Sequence, residues 1–175
     1  MCVDGKAYSN YVVKTIIGGN GVRRGVAVTG ETVSPDVLGD IFKKCNDFVA
    51  TLGYTGMYDV DLVKDINDHI YFLEVNFRAG ASMRAFTGQG INIPDMYLRA
   101  LRGMEPEVNR RIEVERFVSE KLVLEECASG TMTYRSAEEN IAGADVRFIY
   151  DADDVEPYRE FMKYYRLVNT MKLRR

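Results

Sequence analysis

The chain has 175 residues, of which 46% are hydrophobic and 28% charged, and its formal net charge is −3. This length and mixture are typical of one soluble globular domain, and the charge excludes a broad basic surface for nucleic acid or membrane lipid. The single histidine, His69, excludes a multi-histidine metal site, and three widely spaced cysteines favour reduced thiols in a cytoplasmic protein. No apolar run approaches the roughly 20 residues of a membrane helix.

The first part of the chain predicts strands. Met1–Lys6 is typical of a strand that runs straight into a turn, an opening that favours a truncated domain. Tyr, Val and Ile residues favour further strands over 7–17 and 22–33. The glycine-rich segment 18–21 between them predicts a turn.

Two helices have clear start and stop signals. Ser34 is a predicted N-cap with Pro35 at the first helical position, and Gly53 is expected to end that helix. Asn92 is expected to open a second helix, which stops at Gly103. Apolar residues recur at helical spacing between the first pair of signals, which indicates one buried face.

The remaining segments carry weaker signals. Residues 78–90 are predicted to form a loop, and residues 110–126 to be extended or partly helical. We expect a short helix at 136–142, a strand at 146–150 and a last helix from Asp153 or Asp154 to about residue 171. Strands and helices without a regular βαβ order predict an α+β fold, with an antiparallel-rich sheet and helices packed on one face.

A hairpin carries the strongest chemical signal. Its predicted strands, 57–64 and 70–77, are joined by a turn at 65–68, where Asp and Asn tolerate left-handed backbone. A turn centred between residues 67 and 68 pairs Ile70 with Asp65. This register decides which side chains oppose one another along the rest of the two strands.

The predicted register brings acidic side chains to one face. Glu74 falls opposite Asp61 and Asn76 opposite Asp59, with Phe72 behind Glu74 on the same face. Two carboxylates opposed at about 4.5–5.5 Å between Cβ atoms destabilise a strand pair unless something neutralises them. Mg²⁺ prefers such oxygens. Three interpretations stay open: a Mg²⁺ site, a solvated acidic face and a protonated carboxyl pair.

The runs Gly56–Asp61 and Tyr71–Arg78 resemble the metal-binding end of ATP-grasp enzymes, among them biotin carboxylase, D-alanine ligase and carbamoyl phosphate synthetase. Phe77 departs from the family, which commonly has Pro there. The resemblance continues through Gly80–Ser82 and through Gly90–Pro94, which leads into a helix. It implies the C-terminal subdomain of an ATP-grasp domain, with ATP and Mg²⁺ or Mn²⁺ as cofactors.

The resemblance also implies roles for individual residues. Asp61, Glu74 and Asn76 would hold the metal, and Arg78 would hold the transferring phosphoryl group or a substrate carboxylate. Weaker candidates for ATP or substrate binding are Leu62, Leu73, Ser82, Arg84 and Asn92. Simpler roles stay open: an exposed ion pair for Arg78, core packing for the two leucines, and turn formation for the serine.

The C-terminal part of the chain points to one group of ligases. Segments 120–126 and 144–158 resemble carboxylate–amine ligases of the D-aspartate ligase kind, although Val155 stands where Pro is frequent. In that family ATP activates a carboxylate as an acyl phosphate, which an amine then attacks. We therefore expect residues 1–105 to form the ATP-grasp subdomain and residues 106–175 an extension packed on it.

The expected partners are ATP, a small carboxylate, an amine and the missing N-terminal subdomain. The lysines, glycine-rich lid and acidic hinge of that subdomain are not identifiable, so we expect the isolated chain to bind ATP weakly and to catalyse nothing. Two alternatives stay open. One is a fragment of a carbamoyl phosphate synthetase-like or biotin carboxylase-like enzyme, and the other is a degenerate, non-catalytic nucleotide-binding or interaction module.

Overall fold

The computed structural model describes residues 1–8, 11–19, 26–107 and 111–172, with side chains described up to residue 165. The strands are β1 Cys2–Val3, β2 Lys6–Ala7, β3 Val12–Gly18, β4 Ala27–Val33, β5 Asp59–Lys64, β6 Ile70–Asn76, β7 Arg116–Val118 and β8 Val146–Arg147. The helices are α1 Asp40–Thr51, α2 Ile93–Leu101, α3 Glu120–Ser129, α4 Tyr134–Ala142 and α5 Glu156–Lys172, with 3₁₀ helices at Pro35–Leu38 and Ala81–Gln89. The predicted α+β class is confirmed.

Within the described residues, the strands form three sheets rather than the single sheet that we expected. β1 pairs with β2, β5 pairs with β6, and the third sheet has the order β3-β4-β7-β8. The β1–β2, β4–β7 and β5–β6 pairs are antiparallel, whereas β7 and β8 run parallel. The antiparallel-rich character is therefore confirmed, but the acidic hairpin is a two-stranded sheet of its own.

The chain divides into two compact units. The first contains residues 1–12 and 32–114, and the second contains residues 13–31 and 115–175. The predicted domains, 1–105 and 106–175, stay a prediction. The compact units have different bounds, because residues 13–31, which contain most of β3 and β4, group with residues 115–175. The physical cause is strand pairing, because β4 forms its ladder with β7.

Local capping signals are confirmed, with one correction. The Ser34 side chain accepts a hydrogen bond from the N–H of Asp36, as an N-cap should. Gly39, at φ 51° and ψ −131°, then divides the predicted helix into a short 3₁₀ helix and α1. Gly53 follows α1 at φ 63°, a left-handed conformation that favours glycine and ends the helix.

Other segments differ from the sequence predictions. The predicted loop at 78–90 contains the 3₁₀ helix Ala81–Gln89, and the last helix begins at Glu156. The strand predicted at 146–150 ends at Arg147. The Phe148 N–H is shared between the Val118 carbonyl of β7 and the Glu120 side chain, and the N–H groups of Ile149 and Tyr150 donate to Glu120. Residues 20–25 lie outside the described part of the chain, and they include half of the predicted turn at 18–21 and the first four residues of the strand predicted at 22–33.

The second unit is organised around an apolar cluster and a buried carboxylate. The cluster contains Val28, Val118, Val123, Cys127, Ala137 and Ile141. Glu120, the first residue of α3, is 0% exposed, and its side chain accepts from the N–H groups of Phe148, Ile149 and Tyr150. Among the described residues, no helix is both long enough and apolar enough to cross a membrane.

Candidate functional site

The β5–β6 hairpin places four polar side chains on one face. Asp61 lies opposite Glu74, and Asp59 lies opposite Asn76, as the sequence predicts. Directly opposed residues share a face of a two-stranded sheet, and alternate residues of one strand do so too. Three carboxylates and one amide are thus collected on the same side of the hairpin.

A β-bulge corrects the predicted register nearer the turn. Beyond the Asp61–Glu74 pair the register shifts by one, so that Leu62 pairs with Phe72 and Ile70 pairs with Lys64 rather than with Asp65. Leu73 is the extra residue on β6. Strict alternation would put Phe72 behind Glu74, whereas the bulge moves Phe72 and Ile70 to the opposite face.

The bulge separates apolar from acidic chemistry. On the face opposite the carboxylates, the Phe72 ring packs edge-on against Phe48 of α1, with ring centroids 6.2 Å apart. If the alternation were unbroken, that aromatic ring would lie beside Glu74. One inserted residue therefore lets β6 pack against α1 on one face and contribute to the polar cluster on the other.

The Asn76 amide connects the two carboxylates. Its Nδ2 donates to Glu74 Oε1 at 2.9 Å and to Asp61 Oδ2 at 3.3 Å. An amide N–H₂ group here supplies donors to two acceptors that would otherwise face each other. Half a turn about the last side-chain bond would present the Asn76 oxygen in the same place.

The negative charge of the cluster is not fully compensated. Burial raises the pKa of the Asp61 carboxyl, and the charges of Asp59 and Glu74 raise it further. Burial also raises the pKa of Asp59. The Arg78 guanidinium acts against both shifts without cancelling them. A cation placed at this face would therefore be attracted by the existing charges.

The chain leaves β6 in a tight bend that carries Arg78. The Arg78 N–H donates to the Asn76 carbonyl at 2.8 Å, and its Nη1 donates to the Ala79 carbonyl at 3.1 Å. The buried Gly80 then packs on Asp59 so closely that a Cβ there would lie 2.7 Å from a carboxylate oxygen. The sequence did not predict that position 80 requires glycine, because the contact with Asp59 forms only when the chain is folded.

The hairpin turn is held by hydrogen bonds to the Asp65 carboxylate. The Asp65 side chain accepts from the N–H groups of Asn67 and His69, at 2.8 and 2.9 Å, and from the Tyr71 hydroxyl at 3.2 Å. Although desolvation acts to raise it, the pKa of Asp65 is lowered, because these hydrogen bonds favour the charged form. Asp68 adopts φ 66°, which confirms the left-handed turn chemistry read from the sequence.

The donor set fits a small, hard cation. In the described part of the chain, no three His, Cys, Asp or Glu side chains converge as a ready metal-binding group. Two carboxylates with one amide are a smaller set, and Mg²⁺ commonly takes only one or two carboxylates and completes its shell with water and phosphate oxygens. Asp61, Glu74 and a turned Asn76 amide supply that set.

The other predicted site residues have separate positions. Leu62 is half-buried on the face that packs against α1, and Leu73 is 60% exposed at the bulge. Ser82 and Arg84 lie half-buried in the 3₁₀ helix Ala81–Gln89. Asn92 caps α2, with its Oδ1 accepting from the N–H of Asp95 at 3.0 Å. Its side-chain oxygen therefore already has a structural partner.

Comparison with protein-family models, with curated proteins and with solved structures finds no match for this chain. Any function proposed for it therefore has to be argued from its own side chains. The features available are the opposed carboxylates, the bridging amide and the neighbouring guanidinium.

Proposed function

We propose that the chain supplies the metal- and phosphate-binding part of an ATP-grasp carboxylate–amine ligase. The observation that carries the proposal is the direct opposition of Asp61 and Glu74, with the Asn76 amide between their carboxylates. Opposed carboxylates are unfavourable in a hairpin that serves only as structure. A divalent cation bound between the two carboxylates would neutralise their repulsion.

Each residue has a role in this proposal. Asp61 and Glu74 would hold the cation through carboxylate oxygens, and Asn76 would add its amide oxygen in the turned orientation. Mg²⁺, when bound, supplies positive charge to phosphate oxygens. Arg78, exposed at the end of the same face, offers a planar fork of donors to the transferring phosphoryl group or to the substrate carboxylate.

The proposed reaction follows from such a site in the complete enzyme. A substrate carboxylate attacks the γ-phosphorus of ATP and releases ADP, which leaves an acyl phosphate. An amine then attacks the acyl carbon, forms an amide and releases inorganic phosphate. Phosphoryl transfer depends mainly on positioning the reactants and on compensating charge. In this proposal the metal ligands and Arg78 of the hairpin would do both.

The isolated chain is proposed to be an incomplete enzyme. Lys6, one of the two lysines near the start of the chain, is paired with Glu105 at 2.5 Å, and nothing in the described part of the structure gives it the role of a nucleotide-binding lysine. Weak ATP binding without turnover is therefore expected from this chain alone. A robust rate of ATP hydrolysis would contradict this half-site interpretation.

The proposal is tested by calorimetric titration with MgATP. Weak binding by the wild-type chain should disappear in Glu74→Ala. The matched control is Asp68→Asn, which removes one carboxylate from the turn of the same hairpin, at a left-handed residue that Asn tolerates. Equal affinity in Glu74→Ala and Asp68→Asn would refute the role of the opposed pair.

A further inference from the structure

The reverse face of the acidic hairpin forms a groove with α1. Its volume is about 390 Å³, within the roughly 300–1,000 Å³ typical of small-molecule sites. The lining residues are Ile41, Lys44, Cys45, Phe48, Ile70 and Phe72. Those from α1 follow the i, i+3, i+4, i+7 spacing of one helix face, and those from β6 are the two that the bulge turns toward the helix.

Two aromatic rings stand half-exposed in this groove. Phe48 is 50% and Phe72 51% exposed, although their rings already contact each other edge-on at 66°. Burying aromatic surface is favourable at about 25 cal/mol per Å², so a ligand that covers these rings gains binding free energy. The raised pKa of Cys45, caused by burial, keeps its thiol neutral and the floor of the groove apolar.

The charge at the groove is positive. Lys44 lines it and makes no hydrogen bond or ion pair with any residue that the structure describes. The neighbouring Lys43 is paired with Asp47 at 2.5 Å. Lys64, which shares the groove face opposite Ile70, is paired with Asp68 at 2.6 Å. Among the described lining residues, Lys44 therefore supplies the cation available to a ligand, and its aliphatic stem borders the apolar surface.

We propose that this groove binds a small amphiphilic anion, a monocarboxylate with an aliphatic or aromatic body. The body covers Phe48 and Phe72, and the carboxylate pairs with the Lys44 ammonium. Because the groove lies on the face opposite Asp61 and Glu74, this site is separate from the proposed metal ligands and goes beyond the proposed ligase function. The groove volume favours a small molecule over a partner helix.

Octanoate and octan-1-ol are the probes that test the proposal, with chemical-shift titration as the readout. Octanoate should shift the backbone signals of α1 and β6 and bind at least about threefold more tightly than octan-1-ol, the scale of an exposed ion pair. Lys44→Gln should reduce octanoate affinity to the octan-1-ol level. Lys43→Gln, one position along the same helix, should change nothing.

Several results would overturn the proposal. These are equal affinity for octanoate and octan-1-ol, equal effects of Lys44→Gln and Lys43→Gln, or no octanoate binding at all. Concentration-dependent dimerisation that buries α1 and β6 would assign the groove to a second copy instead. Lys44 is exposed, so its substitution should leave the melting temperature unchanged. Glu74→Ala should still bind octanoate, which separates this test from that of the ligase proposal.

Discussion

Asp61 and Glu74 lie directly opposite one another in the β5–β6 ladder, immediately before a bulge that leaves Leu73 as an extra residue. The bulge makes the opposition possible without placing Phe72 on the polar face. The hairpin thus carries an electrostatic cost on one side and an aromatic contact on the other.

Removing one carboxylate of the pair should stabilise the protein. The folded-state pKa of Asp61 is raised, so folding favours its protonated form. That stabilisation is present below the ordinary Asp pKa of about 4 and is lost as the pH rises through the raised pKa. At pH 7 the ionised Asp61 therefore destabilises the folded state, on the scale of other cross-strand pair interactions, roughly 0.2–1 kcal/mol.

Asp61→Asn should accordingly raise the melting temperature at pH 7 by up to about 4 °C. The gain should shrink as the pH falls toward 3, where the wild-type carboxyl is protonated. Asp68→Asn, which loses an ion pair with Lys64, should give no gain. A lower melting temperature for Asp61→Asn at pH 7, or a gain that does not depend on pH, would contradict the charge argument.

Asn76→Asp should make the protein depend on a divalent cation. The substitution replaces the amide that donates to Glu74 and Asp61 with a further carboxylate. Without metal the melting temperature should fall, and millimolar MgCl₂ should raise it more than in the wild-type protein, because binding to the folded state stabilises it. NaCl at matched ionic strength is the control, and an equal rise with NaCl would indicate charge screening alone.

Gly80→Ala should destabilise the bend after β6. A Cβ at position 80 would lie 2.7 Å from an Asp59 oxygen, so either the bend or the carboxylate has to move. We expect a loss of about 1–3 kcal/mol in the free energy of unfolding, measured by urea denaturation. Gly18→Ala is the matched control, since a Cβ there meets nothing within 4 Å. Equal losses in both variants would show that the contact with Asp59 is unimportant.

Glu120→Ala should loosen the segment after β8. It removes the Glu120 acceptor from the N–H groups of Ile149 and Tyr150, whereas the Phe148 N–H keeps its hydrogen bond to the Val118 carbonyl. Each unsatisfied buried donor costs about 1–3 kcal/mol, so the melting temperature should fall by at least about 4 °C. Hydrogen exchange of the Ile149 and Tyr150 amides should accelerate.

Glu138→Ala on the exposed face of α4 is the control for Glu120→Ala. It removes a carboxylate of the same type from a helix of the same unit and should leave both the melting temperature and the amide exchange unchanged. Unchanged exchange at positions 149 and 150 in Glu120→Ala would contradict the role given to the buried carboxylate.

Local sequence signals predicted much of the fold. Ser34 and Asn92 act as N-caps, Gly53 ends α1, and the Asp-rich turn forms with Asp68 in the left-handed region. Each of these features depends on a few neighbouring residues, whose side chains compete directly for backbone groups. The sequence itself therefore contains the necessary information.

Features that depend on distant contacts were not predicted. The bulge at Leu73 places Phe72 against α1 on one face and leaves Glu74 opposite Asp61 on the other. The need for it arises only from the packing of α1 on the hairpin, which is a contact between distant parts of the sequence. The grouping of residues 13–31 with the C-terminal residues follows from the pairing of β4 with β7, which lies far along the chain. The site pairs were nevertheless found, because Asp61–Glu74 and Asp59–Asn76 lie beyond the bulge, where the assumed and observed registers coincide.

The most direct test of the central claim is where a paramagnetic divalent cation binds. Substoichiometric Mn²⁺, added with ATP to ¹⁵N-labelled protein, should broaden the amide signals around Asp61, Glu74 and Asn76 first. Glu74→Gln should abolish that broadening, whereas Asp68→Asn should retain it. Broadening centred on another acidic segment, such as 151–154, or none at the hairpin, would contradict the assignment of the metal and phosphate site.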